Sequence, residues 1–166
     1  PHRELRRLAG DTRPTDRVVL YARVSSHGQK DNGDLDRQLE RLTDYAHDHG
    51  WSVKNTYTDV GSGLNEDRRG LNSLLDDVQE ADYGRILVTY EDRLTRFGFS
   101  YLKRYFDCYG VTITVIEDET DKSAQEELVD DLIKLVASFS GKLYGMRSNK
   151  KQQVVNTVES EVTPDE

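Results

Sequence analysis

The chain has 166 residues, of which 33% are charged and 35% apolar, and its formal net charge is -8. A chain of this length is sized for one domain with a single core, and its apolar residues fall in periodic blocks, which excludes a disordered chain. The acidic balance argues against a surface that is basic all round, but net charge averages over faces and leaves a local cationic site open.

The first 16 residues, PHRELRRLAGDTRPTD, have no apolar block of the kind that a signal peptide requires. Pro14 lies near the end of this stretch, as in a linker, so we expect residues 1–16 to connect to a segment further upstream. No part of the chain is apolar over the length of a membrane span. The sequence therefore predicts a cytoplasmic protein with no membrane partner.

The middle of the chain alternates predicted strands and helices. In chain order, we predict a strand at 17–23, a helix at 34–49, a strand at 51–58, a helix at 71–78, a strand at 85–90, a helix at 101–109 and a strand at 111–117. This alternation predicts an α/β fold with a mostly parallel, four- or five-stranded sheet flanked by helices on both faces.

Cys108, the single cysteine, excludes an internal disulfide. It lies in the apolar helical run at 101–109, so we expect its thiol to be buried and inert. No redox chemistry is implied.

The last predicted helix, at 123–155, carries one long apolar stripe. The residues of the stripe recur at spacings of three and four: Leu128, Leu132, Leu135, Val136, Phe139, Leu143 and Met146. A stripe longer than the domain can cover needs a partner, so we predict a long C-terminal oligomerisation helix. The acidic residues 156–166 are expected to form a disordered tail.

Polar side chains follow three of the predicted strands. They are Arg23, Ser25, Ser26 and Gln29 in the first loop, Ser62, Asp67, Arg68 and Arg69 in the second, and Glu91, Asp92, Arg93 and Arg96 in the third. Because the carboxyl ends of parallel strands meet at one edge of a sheet, we expect these side chains to converge. Guanidiniums with hydroxyls and a carboxylate suit a phosphate diester, although each arginine could instead pair with a surface aspartate.

Arg93 and Arg96 are three residues apart in EDRLTRFG. If this segment opens a helix, we expect both to share one helix face and the helix start to add free amide donors. The two guanidiniums would then form an anion-binding site.

A serine beside arginines suits covalent phosphoryl transfer. Guanidiniums stabilise charge on phosphoryl oxygens while a serine attacks in line and forms a phosphoserine ester. The sequence has neither a Walker pattern nor G-x-G-x-x-G, and His47 and His49 are two residues apart and cannot share a helix face. We therefore expect no nucleotide cofactor and no metal.

The motifs YARVSS, DVGSGLNEDRRGL and EDRLTRFGF resemble the catalytic domain of the serine recombinases, the resolvase and invertase family, over roughly residues 17–150. EDRLTRFGFSYL and SFSGKLYGMRS are more similar to the serine-transposase branch of insertion sequences. In that branch a MerR-like domain precedes the catalytic domain, and ELRRLAG resembles its end. The resemblance implies a linker and remnant of an upstream DNA-binding domain at 1–16, a catalytic core at 17–122, an oligomerisation helix at 123–155 and a tail at 156–166.

The resemblance also implies roles for individual residues. Ser25 matches the nucleophile that becomes linked to a 5′ phosphate, and Ser26 matches a neighbour without a required role. The arginines that match those around the scissile phosphate are Arg23, Arg68, Arg93 and Arg96, with Asp92 as the acidic residue beside the attacking or leaving oxygen. Supporting polar positions are matched by Gln29, Gln38, Ser62 and Asp67. Gly141-Lys142 stands where many members have Glu-Arg, which leaves the role of Lys142 open.

The family's chemistry implies that the reaction needs neither a metal nor a cofactor. Its partners would be DNA, as transposon ends and target, and further copies of the chain, as dimers that pair into tetramers through the long helix. Arg147, Lys150 and Lys151 near the end of that helix either complement the helix dipole or meet DNA. The alternatives are a resolvase- or invertase-type recombinase, a non-catalytic oligomerisation module, and an enzyme acting on small phosphates.

Overall fold

The computed structural model describes residues 13–117 and 122–161. Within these residues the sheet has four strands, all parallel, in the order β2-β1-β3-β4. They are β1 (Arg17–Val24), β2 (Ser52–Val60), β3 (Arg85–Val88) and β4 (Thr112–Val115). The predicted α/β fold with a parallel sheet is confirmed.

Helices connect the strands and continue after the last one. They are α1 (His27–Asp31), α2 (Asp34–Asp48), α3 (Arg69–Asp77), α4 (Glu91–Leu94), α5 (Phe99–Asp107) and α6 (Lys122–Glu161), with a 3-10 turn at Val78–Glu80. The described residues divide into two compact units, one up to residue 117 and the other from Lys122 onward. We call the first the sheet unit; the second consists of α6.

The sheet of this unit has a buried apolar layer on each face. On one face, Val18, Leu20 and Ala22 of β1 pack with apolar residues of α2. On the other, Val19 and Tyr21 pack with apolar residues of α3 and α5. Successive residues of β1 point to opposite faces of the sheet. Because helices cover both faces, apolar residues are favoured at every position, and the sequence of β1 is a continuous apolar run.

The described part of the predicted linker, residues 13–16, is bound along the amino edge of the sheet. Arg13 Nε donates a hydrogen bond to the Tyr109 carbonyl oxygen at 3.1 Å. Gly84 permits close approach here, because a Cβ atom at this position would lie 2.7 Å from the Pro14 carbonyl oxygen. These residues therefore belong to the sheet unit. Residues 1–12 lie outside the described residues.

The prediction of a buried Cys108 was wrong, because the residue is exposed. It follows the last residue of α5 as the C-cap, and the buried apolar residue of that helix is Phe106. Cys108 is two residues from Phe106 and keeps helical backbone angles, so it points away from the face that Phe106 buries.

The helix α6 begins at Lys122 and continues past the predicted end at Val155 to Glu161. Residues 162–166 of the predicted tail lie outside the described residues. No helix in the described ranges is both long and apolar enough to cross a membrane. The apolar exposure of α6 is broader than the predicted stripe, since Val129, Ile133 and Tyr144 are exposed as well.

Candidate active site

Ser25 lies immediately after β1 and is held by Gln29 of α1. The Ser25 backbone N–H donates to Gln29 Oε1 at 2.8 Å, and the Ser25 hydroxyl donates to the same oxygen at 2.9 Å. Ser26 instead caps α1, because its Oγ accepts a hydrogen bond from the Gln29 N–H at 3.3 Å. The two adjacent hydroxyls therefore differ: one is oriented by a side-chain amide, and the other terminates a helix.

The backbone at the end of β1 is fixed by Gln38 of α2. Its Nε2 donates to the Arg23 carbonyl oxygen at 2.9 Å, and its Oε1 accepts from the Arg23 N–H at 3.3 Å. Arg93 Nη1 also donates to the Arg23 carbonyl oxygen, at 2.9 Å. Gln38 thus sets the strand end from which Ser25 projects, two residues further along.

The Arg23 guanidinium is buried, with 0% of the residue exposed. Its Nε donates to the Arg93 carbonyl oxygen at 3.1 Å, its Nη1 to the Gly61 carbonyl oxygen at 2.8 Å and its Nη2 to the Asp92 carbonyl oxygen at 2.9 Å. These contacts join the end of β1 to the loop after β2 and to α4. The convergence of the three predicted loops is confirmed in the geometry.

Asp59 and Tyr21 form a buried pair that sequence reasoning missed. The Tyr21 hydroxyl donates to Asp59 Oδ2 at 2.8 Å. Asp59 also accepts the N–H groups of Gly70 and Leu71 at 2.8 and 2.9 Å, which is why α3 begins at Arg69, earlier than predicted.

The position of Asp59 could have signalled its role, because it is an acidic residue next to a predicted strand end. The predicted strand ends at Thr58, which assigns Asp59 to the loop that follows. In the structure it lies in β2, paired in register with Arg23. Tyr21 lies within the apolar run that predicts the strand, so the sequence indicates a core residue. The sequence gives no sign that its hydroxyl has a buried partner.

Arg68 is only 4% exposed and is engaged at all its nitrogens. Its Nε donates to the Asn65 carbonyl oxygen at 2.8 Å and its Nη1 to the Tyr21 hydroxyl at 3.0 Å. Its Nη2 donates to the Leu94 carbonyl oxygen. Burial raises the pKa of the Tyr21 phenol above its ordinary value, although the charge of Arg68 opposes this, so the phenol is neutral between Asp59 and Arg68.

Asp92 of α4 pairs with two arginines. Asp92 Oδ2 lies 3.0 Å from Arg96 Nη1, and Asp92 Oδ1 lies 3.6 Å from Arg93 Nε. The prediction that Arg93 and Arg96 share a helix face was wrong: α4 ends at Leu94, and Thr95 is extended. Asp92, rather than helix spacing, holds the two guanidiniums. As α4 is a single turn, it offers no helix-start site of the expected kind.

The remaining predicted site residues are Ser62, Asp67 and Lys142. Ser62 shapes the loop after β2, because its Oγ accepts from the Leu64 N–H at 3.1 Å. Asp67 is exposed on the same loop, and its N–H donates to Asn65 Oδ1 at 2.9 Å. Lys142 is exposed on α6, outside the sheet unit.

The gathered groups are the Ser25 hydroxyl, side-chain amides, guanidiniums and the carboxylates of Asp59 and Asp92. Such a set recognises an anion through charge-assisted hydrogen bonds and presents a nucleophile to it. Among the described residues, no three His, Cys, Asp or Glu side chains are grouped so that they could hold a metal ion.

Comparison with known proteins agrees with this geometry. The family model described as "Resolvase, N terminal domain" matches residues 18–156. The solved C-terminal catalytic domain of ISC1926 TnpA, an IS607-like serine recombinase, is 47% identical, with a TM-score of 0.73 over 88% of this chain and 98% of that one.

Two relatives extend the comparison. A protein named as a resolvase in Acanthamoeba polyphaga mimivirus is 35% identical over 135 residues, which cover 80% of this chain and 67% of the relative. The transposon Tn3 resolvase of Escherichia coli is 31% identical over 140 residues, which cover 82% of this chain and 70% of the relative. With the parallel sheet, the serine after β1 and the arginines at its edge, these matches show that the chain belongs to the resolvase family and is a serine recombinase catalytic domain.

Proposed function

We propose that this chain is the catalytic domain of a serine transposase that cleaves and rejoins DNA through a covalent bond between Ser25 and a 5′ phosphate. The observation that carries the proposal is the placement of Ser25. Its hydroxyl is oriented by Gln29 at the strand edge where Arg23, Arg93 and Asp92 meet.

The reaction exchanges one phosphate ester for another. Ser25 Oγ attacks the phosphorus, the Oγ–P bond forms, and the bond from phosphorus to the 3′ oxygen breaks. The serine loses its proton and the departing 3′ oxygen gains one. Rejoining is the reverse reaction, in which a 3′ hydroxyl attacks the phosphoserine. Because the phosphoserine bond conserves the energy of the broken diester, the proposed reaction uses no nucleotide and no metal.

The roles of the other residues follow from their contacts. Guanidiniums stabilise the charge that develops on the non-bridging oxygens, and Asp92 lies among them as the acidic residue beside the attacking or leaving oxygen. Gln29 orients the nucleophile and Gln38 fixes the strand end. The remaining supporting positions are Ser62, Asp67 and, as a point charge on α6, Lys142.

The transposase assignment is supported by the degree of similarity. The IS607-like catalytic domain is 47% identical to this chain, whereas the Tn3 resolvase is 31% identical. We therefore propose that the DNA partners are the ends of a mobile element and its target. We further propose that residues 1–16 lead from an upstream DNA-reading domain to the core at 17–122, with the last four of them bound to the sheet unit. The resemblance of ELRRLAG supports this proposal.

We propose that α6 joins copies of the chain into a dimer and then a tetramer. The helix spans Lys122–Glu161. Large apolar side chains are exposed along it, with Phe139 62%, Leu143 57% and Met146 70% exposed. Their burial between copies supplies the free energy of association.

The test is a trapping experiment with the protein of the complete reading frame and a nicked duplex that carries the ends of its element. Wild-type protein should form a covalent adduct that keeps a label at the 3′ end of the cut strand and loses one at the 5′ end. Ser25→Ala should abolish the adduct, and Ser26→Ala, which removes only the α1 cap, should retain it. The adduct should also form in EDTA.

Three outcomes would oppose the proposal. An adduct with Ser25→Ala assigns the nucleophile elsewhere. Loss of the wild-type adduct in EDTA contradicts metal independence. No adduct with any variant, while the protein still binds its DNA and assembles, identifies a non-catalytic module.

A further inference from the structure

We propose that residues 13–16 form a fixed strap that holds the upstream DNA-reading domain beside the amino edge of the sheet unit. The strap takes the place of a flexible linker, so it sets the distance between the DNA-reading domain and the catalytic edge of the sheet. This inference rests on the proposed function, because that proposal supplies the upstream domain.

Arg13 anchors the start of the strap. Its Nε donates to the Tyr109 carbonyl oxygen at 3.1 Å, and its Nη2 donates to the Gln79 carbonyl oxygen at 3.3 Å. Tyr109 follows the C-cap residue of α5, and Gln79 lies in the 3-10 turn that continues from α3. A cation is favoured at the end of a helix, where carbonyl oxygens lack intrahelical donors. One guanidinium therefore attaches the strap to two helix ends.

The rest of the strap is bound by two strands. Arg85 of β3 donates from its Nε to the Thr15 carbonyl oxygen at 3.3 Å. The Ser52 N–H of β2 donates to the Asp16 carbonyl oxygen at 2.7 Å. Together with the contacts of Arg13, these bonds fix the path of the strap across the amino edge.

Gly84 fits closely against the strap. A Cβ atom at this position would lie 2.7 Å from the Pro14 carbonyl oxygen and 3.2 Å from the Thr15 Cα atom, and the nearest heavy atoms to it all belong to the strap. The φ angle of Gly84 is not positive, so the backbone of this residue accepts an alanine. Gly84→Ala therefore conflicts with the bound strap and with no other nearby part of the sheet unit.

The strap shortens the connection to the upstream domain. ELRRLAG, at residues 4–10, resembles the end of that domain, so residues 11–16 would connect it to β1. Six free residues could span about 20 Å, whereas the two that precede the strap span at most about 7 Å. The domain is then held at the amino end of β1, and the eight residues of that strand place Ser25 about 26 Å away at the other end.

The test measures one distance in the protein of the complete reading frame. One nitroxide label is attached to the native Cys108, which is exposed and precedes Tyr109, and the other to a cysteine introduced by Ala9→Cys. Any cysteine of the upstream segment is replaced by serine. Labelled protein is diluted with unlabelled protein, so that double electron–electron resonance measures pairs within one chain. The strap predicts one narrow distribution of distances.

Two substitutions release the strap in different ways. Gly84→Ala displaces it sterically and Arg13→Ala removes its anchor, so we expect each to broaden the distribution by about twofold or more. Arg104→Ala is the matched control, because Arg104 is exposed on α5, and it should leave the distribution narrow. A broad distribution without either substitution, or a narrow one with both, would overturn the proposal.

The same variants connect the strap to cleavage. A tether of six free residues instead of two lowers the effective concentration of the bound DNA at the catalytic edge by about fivefold. We expect Gly84→Ala to slow single-turnover cleavage of element-end DNA by this factor, while its affinity for that DNA in gel shifts stays unchanged. An unchanged cleavage rate would refute the claim that the strap sets this distance.

The two proposals fail in distinguishable ways. A wild-type protein that forms no adduct refutes the proposed function. The distance measurement uses no DNA and no cleavage, so its result decides for or against the strap in either case.

Discussion

The sheet unit buries charged side chains, whereas α6 exposes large apolar ones. In the sheet unit, Arg23, Arg68 and Arg93 are at most 4% exposed. On α6, Phe139 is 62% and Met146 is 70% exposed. Buried charge is costly without close partners, and exposed apolar surface forgoes the free energy of burial. We interpret the difference as preparation for two partners: an anion at the sheet edge and a second apolar surface along the helix.

The largest expected effect on stability is in the buried polar network of the sheet unit. Asp59→Ala removes the acceptor for the Tyr21 hydroxyl and for two backbone N–H groups of α3. We expect the free energy of unfolding in urea to fall by about 3 kcal/mol, because buried donors are left unpaired. Asp59→Asn keeps one side-chain oxygen and should lose less. A loss below about 1 kcal/mol for the alanine variant would mean that the network is not structural.

The second prediction distinguishes a loss of the cleavage rate from a loss of DNA affinity. We expect Arg93→Ala to lower the cleavage rate by about 10²–10³ while DNA affinity changes little, because its contact strengthens as charge develops. Arg69→Ala is the matched control, since Arg69 is exposed at the start of α3. Rates from single-turnover cleavage and affinities from gel shifts decide the question. Equal losses in rate and affinity would show that Arg93 only docks the DNA backbone.

A substitution on the apolar surface of α6 should change the association of copies of the chain and leave the stability of the sheet unit unchanged. Phe139→Ser should raise the dissociation constant between copies by about tenfold or more, because a large buried side chain contributes about 1.5–3 kcal/mol. Ser140→Ala, at an exposed neighbouring position, serves as control. Sedimentation measures assembly, and thermal unfolding of the sheet unit should be unchanged. An unaltered sedimentation profile for Phe139→Ser would contradict the proposed use of α6.

The smallest expected effect is a pH dependence of the unfolding free energy of the sheet unit. Burial, with a hydrogen bond to Asp77, raises the pKa of Tyr57 from 10.0 to about 12. A pKa raised in the folded state stabilises the protein below pH 10, and this contribution is lost as the pH rises from 10 toward 12. Tyr57→Phe should cost about 1 kcal/mol at neutral pH and flatten the alkaline decline in unfolding free energy. A variant with the wild-type slope would contradict the assignment.

The alternation of strands and helices was predictable because each element carries its own periodicity. The apolar run of β1 predicts a strand, and Leu35, Leu39, Leu42 and Ala46 at helical spacing predict α2. Element ends were less predictable, since they depend on distant partners. The helix α3 begins earlier than predicted because Asp59 accepts the N–H of Gly70. The extended backbone of Thr95 ends α4 between Arg93 and Arg96.

The candidate site was predictable in position but not in its internal bonding. Residues after parallel strands must share an edge, so the loops of Ser25, Arg68 and Asp92 were expected to meet. Sequence carries no sign that Arg23 faces carbonyl oxygens rather than solvent, because those oxygens belong to backbone far along the chain, in the loop after β2 and in α4. The hydroxyl of Tyr21 was missed because its partners are the side chains of Asp59 and Arg68, which are distant in sequence.

The central claim is that Ser25 forms the bond to DNA, and the most direct measurement identifies the bonded residue. The trapped adduct is digested with nuclease and trypsin, and the peptide at 24–30, VSSHGQK, is sequenced by tandem mass spectrometry. Fragment ions separate its two serines. The account predicts a nucleotide attached through its 5′ phosphate to Ser25 alone. The same mass on Ser26, on any other residue, or through a 3′ phosphate would contradict it.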